Sequence, residues 1–261
     1  HCVVRADPLI GLLNWDMAQE VLRHVAAKGL KVLLSTGVQS IRKAGEGLTV
    51  GLTSQEELAA DLVILSVGVL PDTAFLKGSG LEFGLKGAIK VDEQMRTSLP
   101  DVYAVGDAVQ VRDFVTGEDA FVPLAGPANR QGRIAADNLA GIPSRYTGTQ
   151  GSAVLRCFDL TVATTGINET AAKRAGIPYE RSYSFPFSNA TYYPGAAQLA
   201  VKLLFNKENG KVLGAQFIGQ KGADKRCDVM ATAIRCGLTV DDLVDLELCY
   251  APPFNSAKDP V

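Results

Sequence analysis

The sequence predicts an α/β fold, the later part of an α/β layer followed by an α+β domain. Three observations point there. Asp61-Leu-Val-Ile-Leu-Ser-Val67 is nearly all apolar, the pattern of a strand buried on both faces. An amphipathic helix followed by short strands fills the first 85 residues. From Gly151 the composition turns β-rich, with one helix from about Lys225 to Cys236. With 261 residues, 47% of them hydrophobic, the chain can bury a sizeable core and is expected to form two domains.

Each element has a local reason. Cys2-Val3-Val4 reads as a strand already in progress. Asp16 to Lys28 carries Met17, Val21, Leu22 and Val25 near helical spacing, and Gly29 supplies the stop. Lys31 to Leu34 reads as a strand. Leu48 to Leu52 and Asp61 to Val67 read as a hairpin-like pair, ended by Gly68-Val69-Leu70-Pro71. Val102 to Val105 is a short strand running into Gly106 and Asp107. From about Leu124 to Leu139, the spacing of Ala128, Ile134, Ala135 and Leu139 fits a helix. Pro123 suits its start, and Gly141-Ile142-Pro143 closes it. Strands follow at Ala153 to Phe158, Leu160 to Thr164, Tyr179 to Phe185, Leu199 to Phe205 and Val212 to Gln216. Thr239 is placed to cap a last short helix near Val240-Asp241. This C-terminal block is expected to have a core of its own.

The bulk numbers exclude several classes. A net charge of −2, a pI of about 5.8 and no long basic run argue against nucleic acid or an anionic membrane as partner. No window approaches the roughly 18 consecutive apolar residues of a membrane span. The start, His1-Cys2-Val3-Val4-Arg5, lacks the layout of a secretory signal. Five scattered cysteines (Cys2, Cys157, Cys227, Cys236, Cys249) have no metal-ligand or C-x-x-C spacing. They read as mostly buried free thiols, and the expected compartment is the cytoplasm.

Three segments carry chemistry. In Thr97-Ser-Leu-Pro-Asp-Val-Tyr-Ala-Val-Gly-Asp107, Gly106 lets the backbone approach a bulky ligand, and the Asp107 carboxylate suits a ligand hydroxyl. Alone, Val-Gly-Asp reads more readily as an ordinary strand ending in a turn. The stretch Leu124-Ala-Gly-Pro-Ala-Asn129 puts small side chains at a helix N-terminus, where free N–H groups stabilise an anion, though a tightly packed Ala/Gly helix reads the same way. At the C-terminus, Leu246-Glu-Leu-Cys-Tyr-Ala-Pro-Pro-Phe-Asn-Ser-Ala-Lys-Asp-Pro-Val261 bends through two prolines that fix an extended path between Tyr250 and Lys258.

The first of these strings resembles the second FAD-binding motif of the pyridine nucleotide-disulfide oxidoreductases. The last resembles the C-terminal motif of their coenzyme A-disulfide reductase, NADH oxidase and NADH peroxidase branch. The resemblance covers essentially the whole chain in family order. It implies partial doubly wound FAD/NAD(P)-binding layers followed by an α+β dimerisation domain. The NAD(P)H-binding part would span 1–85, the second FAD-binding segment 86–148 and the dimerisation domain 149–261. It implies FAD and NAD(P)H as cofactors, with Gly106, Asp107, Leu124, Ala125, Asn129 and Tyr250 at the flavin. It implies a homodimer in which Tyr250 reaches the partner's redox site, and Lys258 meets an anionic substrate such as coenzyme A. Thr191-Tyr192-Tyr193-Pro194-Gly195 resembles a second tyrosine-bearing loop of that branch, without choosing between Tyr192 and Tyr193.

Some family parts have no match here. No G-x-G-x-x-G turn occurs, and none of the five cysteines fits the redox motif. Both are expected upstream of His1, which makes this the C-terminal portion of a longer enzyme. The expected activity is reduction of a disulfide or persulfide, such as coenzyme A disulfide, through flavin and an upstream cysteine. The alternatives are an NADH oxidase or peroxidase or, for the isolated chain, a non-catalytic dimerisation module. His1 and His24 are the only histidines, so the His–Glu base of the dithiol reductases is absent from the C-terminus.

Overall fold

A parallel strand–helix–strand unit opens the chain. Strand β1 (Cys2–Val3) pairs in parallel with β2 (Val32–Leu33), and helix α1 (Trp15–Ala27) lies between them in sequence. An antiparallel meander follows, β3 (Val38–Ala44), β4 (Gly47–Leu52) and β5 (Glu57–Ala60). Strand β6 (Ile89–Lys90) pairs in parallel with β7 (Val109–Arg112), and β8 (Asp119–Ala120) adds antiparallel to β7. Helix α2 (Ala125–Leu139) packs Ile134 and Ala135 against Met95, Val109, Val111 and Tyr146. The computed structural model describes residues 1–259, so Pro260 and Val261 of the C-terminal motif lie outside the described residues.

The second half is built on one antiparallel sheet. Its strands are β9 (Ala153–Cys157), β10 (Leu160–Gly166), β11 (Tyr179–Ser184), β12 (Leu199–Asn206) and β13 (Val212–Gly219), in the spatial order β11-β12-β13-β10-β9. Helices α3 (Glu169–Arg174), α4 (Ala223–Cys236) and α5 (Val240–Val244) complete it. Thr239 does cap α5: its hydroxyl accepts the Asp242 N–H while the Asp242 carboxylate accepts the Thr239 N–H.

Side chains on this sheet alternate with period two. Leu199, Val201, Ala215 and Phe217 face α4, where they meet Ala223, Cys227, Met230 and Ile234. Ala200, Ile218, Leu160 and Val162 face the other way, onto Met17, Val21 and Val25 of α1. Every residue of β13 is therefore buried. Two polar anchors fix α1 there. Gln216 accepts the backbone N–H of Asn14 at 3.1 Å and donates to its side chain at 3.0 Å. The Lys202 ammonium, 2% exposed, donates to Asp16 on α1 at 2.7 Å and to Glu169 on α3 at 2.5 Å.

Several expectations are corrected. The C-terminal block has a core of its own between its sheet and α4, but the opposite face of that sheet is covered by α1. The run 61–67 is no strand: Leu62, Ile64, Leu65 and Val67 are exposed. An apolar run becomes a strand only beside an edge that takes its N–H and C=O groups, and none of the described residues offers one to this run. Strand β4 pairs with β3 and β5 instead. Val102 to Val105 is extended without joining a sheet, with one bridge from Tyr103 to Arg96. All five cysteines are free, but only Cys227 is buried, since Cys236 and Cys249 fall on exposed turns of their segments.

Candidate functional site

Two clusters gather the residues singled out from the sequence. The first forms where Val105, in extended conformation, enters Gly106 at φ +77°. A Cβ at Gly106 would lie 3.7 Å from Ala128, an ordinary contact, so the backbone angle is what demands glycine. The Gly106 N–H donates to Oε1 of Gln131 at 2.7 Å, and Gln131, 2% exposed, sits on the packed face of α2. That bond locks the turn to the helix. Asp107 is exposed and lines a cleft of about 260 Å³ with Val69, Leu70, Pro71, Asp72 and Phe121.

Helix α2 begins four residues after Phe121. Its N-cap, Leu124, supplies no side-chain hydrogen bond, and Pro127 has no N–H. The N–H groups of Ala125 and Gly126, both exposed, are the donors this end presents, with the partial positive charge of the helix behind them. Small side chains, an uncapped helix end and a nearby carboxylate fit the flavin–ribityl end of FAD. Asn129 is exposed on the next turn and is not among the residues lining the cleft.

The second cluster joins the 191–195 loop to the C-terminal segment. The phenol oxygens of Tyr192 and Tyr250 lie 3.5 Å apart, and both rings are exposed. The hydrogen bond to Tyr250 raises the Tyr192 phenol above the ordinary tyrosine range. Tyr192 thus makes the phenol contact, while Tyr193 donates its backbone N–H to Ala190 at 2.9 Å. Pro252 accepts the Ala190 N–H at 3.2 Å, which binds loop to segment. Lys258 is exposed on the same segment. Cys227 is an inert thiol: burial, with Asp228 and Asp224 adding to it, pushes it up to about 12. No group of residues suited to a metal ion occurs among the described residues, and no described helix is long and apolar enough to cross a membrane.

Sequence reasoning missed Gln131, Arg226 and Asn255. The signal for the first two was present, a polar residue within an apolar helical stripe. Gln131 shares its face with Ile134 and Ala135, and Arg226 lies between Ala223 and Met230.

Residues 1–132 match the pyridine nucleotide-disulphide oxidoreductase family, and residues 153–260 match that family's dimerisation domain. The chain belongs to this family. It is 36% identical over 249 residues to an NADH oxidase of Methanocaldococcus jannaschii, covering 95% of this chain and 55% of the relative. It is 32% identical over 256 residues to a coenzyme A disulfide reductase of Staphylococcus epidermidis, covering 98% and 57%. The structure of an NAD-dependent persulfide reductase from A. fulgidus superposes with a TM-score of 0.95 at 37% identity, over 99% of this chain and 48% of that one. The chain spans about half the length of the curated relatives it matches.

Proposed function

We propose that this chain is the C-terminal portion of an FAD-dependent NAD(P)H oxidoreductase that reduces a disulfide or persulfide, such as coenzyme A disulfide. The observation that carries the reading is the contact between Tyr192 and Tyr250, which brings two separate motifs of one reductase branch together. When bound, FAD would supply the capacity to take hydride from NAD(P)H and pass electrons on. The chain's own part is binding and positioning. Asp107 accepts a hydrogen bond from a ribityl hydroxyl, and Gly106 with Gln131 holds it in place. The Ala125 and Gly126 N–H groups would stabilise negative charge on the bound flavin.

In a homodimer, Tyr250 and Tyr192 reach the partner's redox site, where a phenol hydrogen donates to a departing thiolate. Lys258 attracts an anionic substrate such as coenzyme A. Five free cysteines suit a cytoplasmic enzyme. The similarity to an NADH oxidase favours, as second reading, oxygen as the acceptor.

The test uses the full-length protein that carries this chain. NAD(P)H consumption is followed with coenzyme A disulfide, a persulfide and oxygen. Tyr250→Phe lowers kcat on the disulfide, and Lys258→Ala raises KM for coenzyme A disulfide while sparing a neutral disulfide. Purified protein without flavin, or without NAD(P)H-dependent reduction of any disulfide or persulfide, refutes the proposal.

A further inference from the structure

We infer that Arg226 is a positioning residue, which, through Asn255, holds the two tyrosine-bearing segments in the arrangement that brings Tyr250 against Tyr192. The inference rests on the proposed function for its meaning and on geometry for its support. Tyr192 and Tyr250 are 75% and 50% exposed, so little of the chain packs around their rings. Their arrangement is set below them.

Arg226 lies on α4 with its guanidinium buried, 1% exposed. Both terminal nitrogens are hydrogen-bonded. Nη1 donates to the Gly222 carbonyl at 3.0 Å. Nη2 donates to the Ser188 carbonyl at 3.2 Å, at the base of the loop bearing Tyr192. The same nitrogen donates to Oδ1 of Asn255 at 2.6 Å, within the C-terminal segment. Nε faces Oδ1 of Asp259 at 3.5 Å. One planar fork therefore ties a helix, a loop and the C-terminal segment together, a task its five fixed donors suit and a lysine's point charge does not.

Asn255, also 1% exposed, extends the grip along the segment. Its Nδ2 donates to the Cys249 carbonyl at 3.2 Å, one residue before Tyr250, and to the Asp259 carboxylate, one residue after Lys258. The amide orientation is unambiguous, because arginine only donates while carbonyl and carboxylate only accept. Asn255 thereby brackets both residues assigned to the active site. Gly222 supplies independent support. It starts α4 at φ +74°, and a Cβ there would stand 2.3 Å from Nη1 of Arg226. The helix start is shaped around the guanidinium.

The test measures coupling between the two phenols in this chain, with ring-labelled tyrosine followed by NMR through a pH titration and resonances assigned by Tyr192→Phe. In the unmodified chain, Tyr250→Phe lowers the Tyr192 titration midpoint toward the ordinary tyrosine value. In Arg226→Lys and in Asn255→Ala the midpoint is already lowered, and adding Tyr250→Phe changes it no further. Circular dichroism and thermal melting check the fold; if Arg226→Lys does not fold, Asn255→Ala decides. A raised Tyr192 midpoint in the folded variants overturns the inference. So does unfolding of both variants, which would make the pair a support of the whole domain. The measurement needs no flavin or turnover. An inactive full-length enzyme would refute the proposed function and leave this coupling intact.

Discussion

Lys202→Met isolates the contribution of the buried ammonium that joins α1 to the C-terminal sheet. Methionine keeps most of the stem's length and apolar packing, so the change removes charge and hydrogen bonds. In the native chain Lys202 meets Asp16 at 2.7 Å and Glu169 at 2.5 Å, and Tyr183 also bonds Asp16. Burial pushes Asp16 and Glu169 up, but their bonds from Lys202, with Tyr183 and Tyr179 helping, outweigh it and leave both carboxyls below the usual range. Burial pushes Lys202 down, and Asp16, Glu169 and Tyr183 together lift it above the usual lysine value.

Breaking a buried ion pair from one side costs about 3–5 kcal/mol. Because the Asp16 side chain is 38% exposed and screened by solvent, the lower end applies, about 3 kcal/mol. With a urea slope of about 3 kcal/mol/M, the midpoint falls by about 1 M. The pH dependence fixes the sign. The carboxylates, lowered in the folded state, contribute fully above their unfolded values near 4, and the contribution is lost as pH falls through the lowered ones. Lys202, raised in the folded state, contributes fully below about 10.4 and loses its share as pH rises through the raised value. The gap between native chain and variant is therefore widest between about pH 5 and 9, and closes in acid. Urea unfolding at pH 7 and pH 3 measures it. A loss below about 0.5 kcal/mol at pH 7, typical of an exposed pair, or a gap that stays open in acid, would refute the reasoning.

Two further outcomes follow from other sites. Gln131→Leu leaves the Gly106 N–H without its acceptor and lowers stability by about 1–3 kcal/mol in chemical unfolding, whereas a solvated turn would lose almost nothing. Iodoacetamide at pH 8, read by peptide mass spectrometry, labels Cys236 and Cys249 in the native chain and reaches Cys227 only after denaturation.

Local patterns were legible wherever one period ruled. The α1 stripe of Met17, Val21 and Val25, and the Thr239 cap of α5, are set by near neighbours and read directly. The run 61–67 shows the limit: its apolar residues report a preference for burial, while strand formation depends on distant hydrogen-bonding partners. The same limit applies at the sites. Asp107 and Tyr250 stand in local strings with chemical meaning. Arg226 meets Ser188 and Asn255 only through the fold, so its use is visible as an anomaly, a charge within an apolar stripe, and not as a role.

The two faces of the β10–β12–β13 sheet bear on how the chain can be divided. Helix α1 precedes that sheet by more than 130 residues, yet it covers Leu160, Val162, Ala200 and Ile218 and returns Asp16 to Lys202. A boundary near residue 149 separates two stretches of sequence without separating two energies. Cutting there would uncover a row of apolar side chains and strand a buried ammonium with half its partners. The sheet is therefore coupled to the helix that backs it, and a substitution on α1 such as Val21→Ala opens a cavity against Leu160, Val162, Ala200 and Ile218, far along the chain.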